Sequence, residues 1–321
     1  MASLLSSPTI AADISLEPRA RGAVATLCEL VKARLCALVL LTTLVGFLLA
    51  SRGALHLGAL LWTMIGAALA AFGANAVNQC IEAPRDARML RTRGRPLPSG
   101  RLSPAAGWRV GVALALAGPL VLALAVNPVT AGLAAVCALV YVFAYTPLKT
   151  RTPMNTLVGA VCGAIPPMIG WAGATGGLDA GAWLLGALLF VWQIPHFLAL
   201  AWLYRDDYRA GGFRMLPIVD AGGQLTCEAC LLYSLALAPV SLMLSIAGVT
   251  NLVFACGALV AAIAMVAASL ALYRDRSRVA ARRLFLASVI YLPILLALMV
   301  ADRGGGASPA AAAPAWTDAD R

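Results

Sequence analysis

Asn78, Glu82 and Asp86 are spaced four residues apart. On a helix, such positions drift only slowly around one face. One amide and two carboxylates supply hard oxygen donors. These suit Mg²⁺, which keeps several waters and binds a substrate phosphate through one or two carboxylates. Arg85, Arg88, Arg91, Arg93, Arg95 and Arg101 follow directly, and guanidinium groups are planar donors to phosphate oxygens. A second acidic pair, Asp206 and Asp207, lies among Arg205, Arg209 and Arg214. It could hold a second metal or the other end of a diphosphate. Lys149 adds a point charge. Acids and bases together suggest a metal–diphosphate site. The plain alternative is that the arginines serve membrane topology and the acids pair with them; the pattern alone supports both. Pro84 complicates the first cluster, because proline removes a backbone donor and disfavours the helical region at Ala83. A kink or stop is expected there, with Asp86 in the first turn of a new segment.

The elements that must position these residues are membrane helices. The chain has 321 residues, of which 61% are hydrophobic and 12% charged, against about a quarter charged in soluble domains. Its mean hydropathy is +0.87. It cannot wrap its apolar residues in a polar surface, so the bilayer is the expected solvent. Runs long enough for the roughly 20 residues of a spanning helix occur near 35–50, 55–77, 105–126, 130–146, 156–174, 181–203, 225–249, 252–272 and 284–300. The first is short and is expected to begin inside "CELVKARL". The length of the runs excludes a barrel, whose strands are about ten residues and alternate. The fold class is therefore all-α, polytopic, with about nine transmembrane helices.

The formal charge of +10 would fit a nucleic-acid partner, but its distribution argues against one. Basic residues precede the first span and follow the second, fourth, sixth and eighth, while the alternate loops "AVNPVT", "ATGGLDAG" and "GVTN" are nearly neutral. Only Arg52 interrupts the pattern. By the positive-inside rule the N-terminus is cytoplasmic and the C-terminus outside. Residues 1–24 read as a cytoplasmic tail, 25–301 as the membrane domain, and 302–321 as a low-complexity, disordered tail. Eight cysteines lie mostly in spans, where a thiol behaves as a small apolar group. Cys227 and Cys230 form a CxxC without a second pair or a nearby histidine, so a structural role is favoured over metal or redox chemistry.

The two long acidic loops are separated by four spans, and "LYRD" occurs at 203–206 and again at 272–275. This weak periodicity suggests two pseudo-repeated four-helix halves plus one further helix. Packed around a central cavity, the halves would set the acidic loops facing one another.

At these residues the chain resembles the UbiA superfamily of intramembrane prenyltransferases, and within it the protohaem IX farnesyltransferase (haem O synthase) family. The resemblance covers roughly residues 25–300. Asn78, Glu82 and Asp86 match the first Asn/Asp-rich motif, and "MLRTRGRPLPSG" matches the signature that follows it. "YTPLKTRTPMNTLVGAVCGAIPPMIGW" at 145–171 and "WQIPHFLALAWLYRDDYRAGGFRMLP" at 192–217 match further stretches, the second especially in the haem subgroup. Such long matches are far more specific than a lone short motif. The chain departs from the family in carrying Lys32-Ala33-Arg34 where Lys-Pro-Arg is common, and in Pro84 within the first motif.

The resemblance implies that farnesyl diphosphate, haem B and water give haem O and diphosphate in a bacterial inner membrane, with Mg²⁺ as cofactor. It implies Asn78, Glu82, Asp86 and Asp207 as catalytic residues. Asn78, Glu82, Asp86, Asp206 and Asp207 would be metal ligands, with Arg91, Arg95, Lys149, Arg151 and Tyr145 on the diphosphate. It also implies handing haem O to a haem A synthase or an oxidase assembly factor. An apolar cavity capped by cationic loops would suit two apolar substrates with anionic ends and delay water until the carbon–carbon bond exists. His196 lies within the sixth span, where histidine is rare and usually functional. A role near the porphyrin is expected, as an iron ligand, a propionate partner or a guide for the final water; a bond to a neighbouring helix's carbonyl is the alternative. Trp192, Trp202 and Tyr204 read as interface anchors and cavity wall. The rival readings are prenylation of an aromatic acid such as 4-hydroxybenzoate, which the 192–217 stretch opposes, and a non-enzymatic haem carrier or transporter. Transporters also use polar span residues and internal repeats, but need access to both faces.

Overall fold

A computed structural model describes residues 22–51, 53 and 55–304. The tail readings therefore fall almost wholly outside the described residues, as does Arg52. Backbone polar groups find no water in a bilayer, so each spanning segment must satisfy them internally as a helix. Among the described residues there is no strand, only an isolated bridge between Thr250 and Arg303.

The elements in chain order are α1 (Ala23–Leu30), α2 (Ala33–Ala50), α3 (Leu57–Asp86), α4 (Pro104–Ala125), α5 (Pro128–Leu148), α6 (Asn155–Thr175), α7 (Ala180–Leu203), the short α8 (Arg205–Ala210) and α9 (Leu216–Val219), α10 (Gln224–Ile246), α11 (Leu252–Asp275) and α12 (Arg278–Ala301). All but α1, α8 and α9 are long and apolar enough to cross a membrane, which makes nine spans among the described residues. As the sequence implied, α2 begins inside "CELVKARL"; a break at Val31–Lys32 separates it from α1, and Lys32 adopts a left-handed backbone (φ 51°).

Local signals set several helix starts. Ser103 and Asn127 accept the backbone N–H groups of Ala106 and Thr130, each followed by proline at the first helical position, where the missing donor is harmless. Asp179 and Ser277 cap α7 and α12 in the same way.

Small residues decide which helices touch. A Cβ on Gly46 would overlap the Pro167 carbonyl oxygen, and one on Gly170 the Thr43 carbonyl oxygen, so α2 and α6 meet backbone to backbone. Gly73 of α3 against Ala115, and Gly118 of α4 against Ala70, do the same for α3 and α4. Close approach at small residues is how membrane helices pack when lipid is as apolar as their side chains. Helix α7 lies against α6, α10 and α12. Leu116, Leu124, Ile246 and Val260 are among the apolar residues left exposed, facing outward as lipid contacts would.

The stop expected at Pro84 does not occur. Helix α3 continues to Asp86, and the Ala87 N–H reaches the Ala83 carbonyl at 3.1 Å. Pro84 lies two residues from the helix end and withholds only its own donor, so the loss is small. Cys227 and Cys230 of the CxxC are buried in the largest core cluster as free thiols.

Candidate active site

Because α3 is continuous, Asn78, Glu82 and Asp86 share a face and all are buried. Each is held by a cation. Lys32 Nζ donates to Asn78 Oδ1 at 2.6 Å, Lys149 Nζ to Glu82 Oε1 at 2.8 Å, and Arg95 to Asp86 Oδ2 at 2.7 Å. The second carboxylate oxygen of Asp86, Oδ1, is buried without a hydrogen-bond partner. The amide of Asn78 is oriented from its other end: Nδ2 donates to Thr146 Oγ1 at 2.9 Å, and that hydroxyl donates to the Tyr141 carbonyl at 2.8 Å. Tyr141 lies within, and Thr146 directly follows, a wide π-helical turn of α5, Val140–Tyr145, a local widening often found at functional sites.

Burial, with the positive charge of Arg95 beside it, pushes the Lys32 ammonium down to about 7 despite the nearby carboxylates. Burial alone would also lower Lys149, but the Glu82 carboxylate, then Tyr145 and Tyr141, outweigh it and hold its ammonium above the ordinary value. Lys149 Nζ lies 4.4 Å from the Tyr145 ring centroid and 6.0 Å from that of Phe213.

The second acidic loop closes over the first. Asp207 accepts the backbone N–H groups of Leu90 and Arg91 at 3.3 and 3.4 Å. Arg91 lies over the rings of Tyr204 and Tyr208, and Phe213 packs with Met89. The facing of the two loops, inferred from their spacing along the chain, is thus direct contact. Asp206 stands apart. It is 77% exposed, pairs with Arg209 at 3.2 Å, and forms no bond to the α3 cluster. Arg151 is also exposed, and its side chain forms no ion pair among the described residues. Of the sequence-expected residues, Asn78, Glu82, Asp86, Arg95, Lys149 and Tyr145 converge. Asp207 and Arg91 sit at the loop junction, while Asp206 and Arg151 do not join.

Among the described residues no three His, Cys, Asp or Glu side chains converge. Two carboxylates, one amide oxygen and an orphaned buried Asp86 Oδ1 nevertheless fit a hard divalent ion that keeps waters and shares a substrate phosphate.

Beneath the cluster lies a mostly apolar cavity of about 250 Å³, lined by Leu38, Thr42, Asn75, Tyr141, Tyr145 and His196, among others. Tyr141 donates its hydroxyl to Asn75 Oδ1 at 3.1 Å. Tyr145 belongs to both regions, touching Lys149 and walling the cavity. His196, on α7, stacks with Trp192 (ring centroids 4.9 Å apart) and with Phe285 (5.1 Å) and bonds Ser288 through Nδ1 at 2.8 Å. Trp192 is buried cavity wall, not an interface anchor.

Three participants were missed in the sequence. Lys32 reads as topology in the sequence, and Thr146 and Ser288 only as parts of spans. Only Lys32 carries a signal, a cation beside the helix break; nothing marks the other two before the helices are assembled.

Residues 39–290 match the family profile described as UbiA prenyltransferase family. A protein from Solibacter usitatus, "Protoheme IX farnesyltransferase", is 41% identical over 286 residues, which span 86% of this chain and 98% of that one. A solved structure described as digeranylgeranylglyceryl phosphate synthase superposes with a TM-score of 0.74 at 15% identity, covering 87% of this chain and 98% of that one. A UbiA homolog from Archaeoglobus fulgidus bound to GPP and Mg²⁺ gives 0.58 at 14% identity, covering 85% and 99%. At those identities the two structures speak for the fold alone.

Proposed function

The chain belongs to the UbiA prenyltransferase family, and from that premise we propose that it transfers the farnesyl group of farnesyl diphosphate to a vinyl group of haem B, with addition of water, giving haem O and diphosphate. The relative at 41% identity, matched over nearly its whole length and named for this activity, supports the substrate pair. The observation that carries the reading is the junction at Tyr145: a buried cluster of cations and hard oxygen donors on one side, an apolar cavity with His196 on the other.

The residues divide the work. Lys149, Arg95 and Lys32 are the cations nearest the α3 acids and would turn to the diphosphate as it enters, with Arg91 at the loop junction. A Mg²⁺ ion held by Asn78, Glu82 and Asp86 would supply positive charge to the departing diphosphate. The cations, fixed before the reaction, stabilise the charge that develops as the allylic C–O bond breaks. The farnesyl chain lies in the apolar cavity, where the tyrosine walls exclude water until the vinyl carbon has attacked. Water then closes the resulting cation as a hydroxyl and releases one proton. The loop contact through Asp207 caps the site.

The distribution of basic loops supports this site on the cytoplasmic face, N-terminus inside and C-terminus outside; a bacterial inner membrane is the corresponding reading for location. Cysteines introduced at Arg88 and Arg205 should label from the same, cytoplasmic side; labelling from opposite sides would overturn the orientation and the shared site. Transfer of haem O to a haem A synthase or assembly factor is the corresponding reading for partners. The decisive assay is mass spectrometry of haem after incubating purified protein in lipid with farnesyl diphosphate, haem B and Mg²⁺. Farnesylated, hydrated haem is expected. Prenylated 4-hydroxybenzoate in a parallel incubation, without haem O, would refute the reading. Binding without release of diphosphate would indicate a carrier.

A further inference from the structure

Ser288 on α12 touches three groups on the route to His196. Its hydroxyl is 2.6 Å from the Phe285 carbonyl oxygen and 2.8 Å from His196 Nδ1, and its own carbonyl accepts the Trp192 indole N–H at 2.9 Å. Ser288 is fully buried. A serine hydroxyl carries one hydrogen, and a backbone carbonyl can only accept. The hydrogen therefore goes to Phe285, and towards His196 the oxygen can act only as acceptor. Nδ1 must then carry the imidazole proton, which leaves Nε2 with a bare lone pair. Trp192 and Phe285 each stack on the ring, and His196 lines the cavity. Nε2 makes no hydrogen bond among the described residues.

We propose that Ser288 is a positioning residue that holds His196 as the Nδ1-protonated tautomer, so that Nε2 binds the iron of the haem substrate as an axial ligand. The inference rests on haem as acceptor, as proposed above. It separates the roles open to this histidine. A bare Nε2 can donate its lone pair to iron but cannot donate a hydrogen bond to a propionate. Fixing the other ring nitrogen through a hydrogen bond is how proteins set tautomer and orientation in metal-ligating histidines. The protein thereby holds the macrocycle from α7 and α12 while the diphosphate is held from α3 and α5.

The chain contains two histidines, His56 and His196, so selective ¹⁵N-histidine labelling of the full chain in lipid gives a readable spectrum, with His196→Gln assigning the signals. Without haem, His196 should show a protonated Nδ1 and a bare Nε2. Ser288→Ala should mix the tautomers, and Ser288→Thr, which keeps the hydroxyl, should restore the first. Thermal melts identify any variant that fails to fold; the wild-type spectrum tests the tautomer without a variant. Adding ferric haem B should broaden the His196 signal, give the absorption of a histidine-ligated iron, and bind about fivefold more weakly in Ser288→Ala, the scale of one lost hydrogen bond. A wild-type His196 protonated at Nε2, or haem binding without perturbing its ring, overturns the proposal even where haem O is formed. Ligation as expected with no haem O produced would leave this proposal standing and refute the proposed reaction.

Discussion

The Lys149–Glu82 pair offers a test of how the cluster is built. Its atoms are 2.8 Å apart, with the side chains 13% and 6% exposed. At an effective dielectric of about 20, two unit charges near 3 Å attract by about 6 kcal/mol. Burial costs several kcal/mol per ion, so the intact pair contributes little net stability. Removing one partner is different, because it strands a buried charge at a cost of about 3–5 kcal/mol. The two single variants should not be equal. In Lys149→Met the Glu82 carboxylate still feels the charge of Lys32, so the loss belongs near 3 kcal/mol. In Glu82→Gln the Lys149 ammonium keeps mainly the rings of Tyr145 and Phe213, so the loss belongs near 5 kcal/mol. At roughly 2 °C per kcal/mol, melting in lipid should fall by about 6 °C and 10 °C respectively. The double variant should return to within a few degrees of wild type, since two neutral side chains strand no charge. All three should lose haem O production, because each lacks a group proposed to meet the diphosphate or its metal. Melting curves with haem mass spectrometry on the same preparations decide it. A double variant as unstable as Glu82→Gln, or one that regains turnover, would refute the reasoning.

Asp86→Asn keeps size and removes charge, so the protein should insert normally while turnover falls by about 10²-fold or more, the scale of losing one positioned electrostatic group; calorimetry should show weaker Mg²⁺ binding. Asp206→Asn should leave turnover within about twofold, because an exposed ion pair contributes little. Asp207→Ala frees the Leu90 and Arg91 N–H groups, so KM for farnesyl diphosphate should rise more than kcat falls, read from steady-state kinetics. Gly170→Ala forces a methyl group against the Thr43 carbonyl; backbone cannot yield as a side chain can, so the melt should drop by at least the 1–3 kcal/mol typical of overpacking.

The spans, the alternation of charged loops and the α3 motif were legible in the sequence because hydropathy and helical spacing are local properties. Twenty apolar residues form a helix in lipid whatever surrounds them, and residues four apart share a face wherever that helix lies. The same locality explains the error at Pro84: propensity predicts a disruption, but position near a helix end makes it nearly harmless. Locality also explains why Asp206 and Asp207 looked equivalent. Adjacent residues on a helix diverge by about a hundred degrees, and only the docking of the loop onto residues 89–91 decided that Asp207 faces inward and Asp206 faces solvent. Lys149 and Arg151 parted for the same reason. Lys32 meeting Asn78, Thr146 orienting it, and Ser288 meeting His196 span 46, 68 and 92 positions along the chain. No period or propensity encodes such separations. They arise when glycine-lined helices approach to backbone contact and carry their side chains with them, and that assembly gives the histidine its tautomer and each acid its cation.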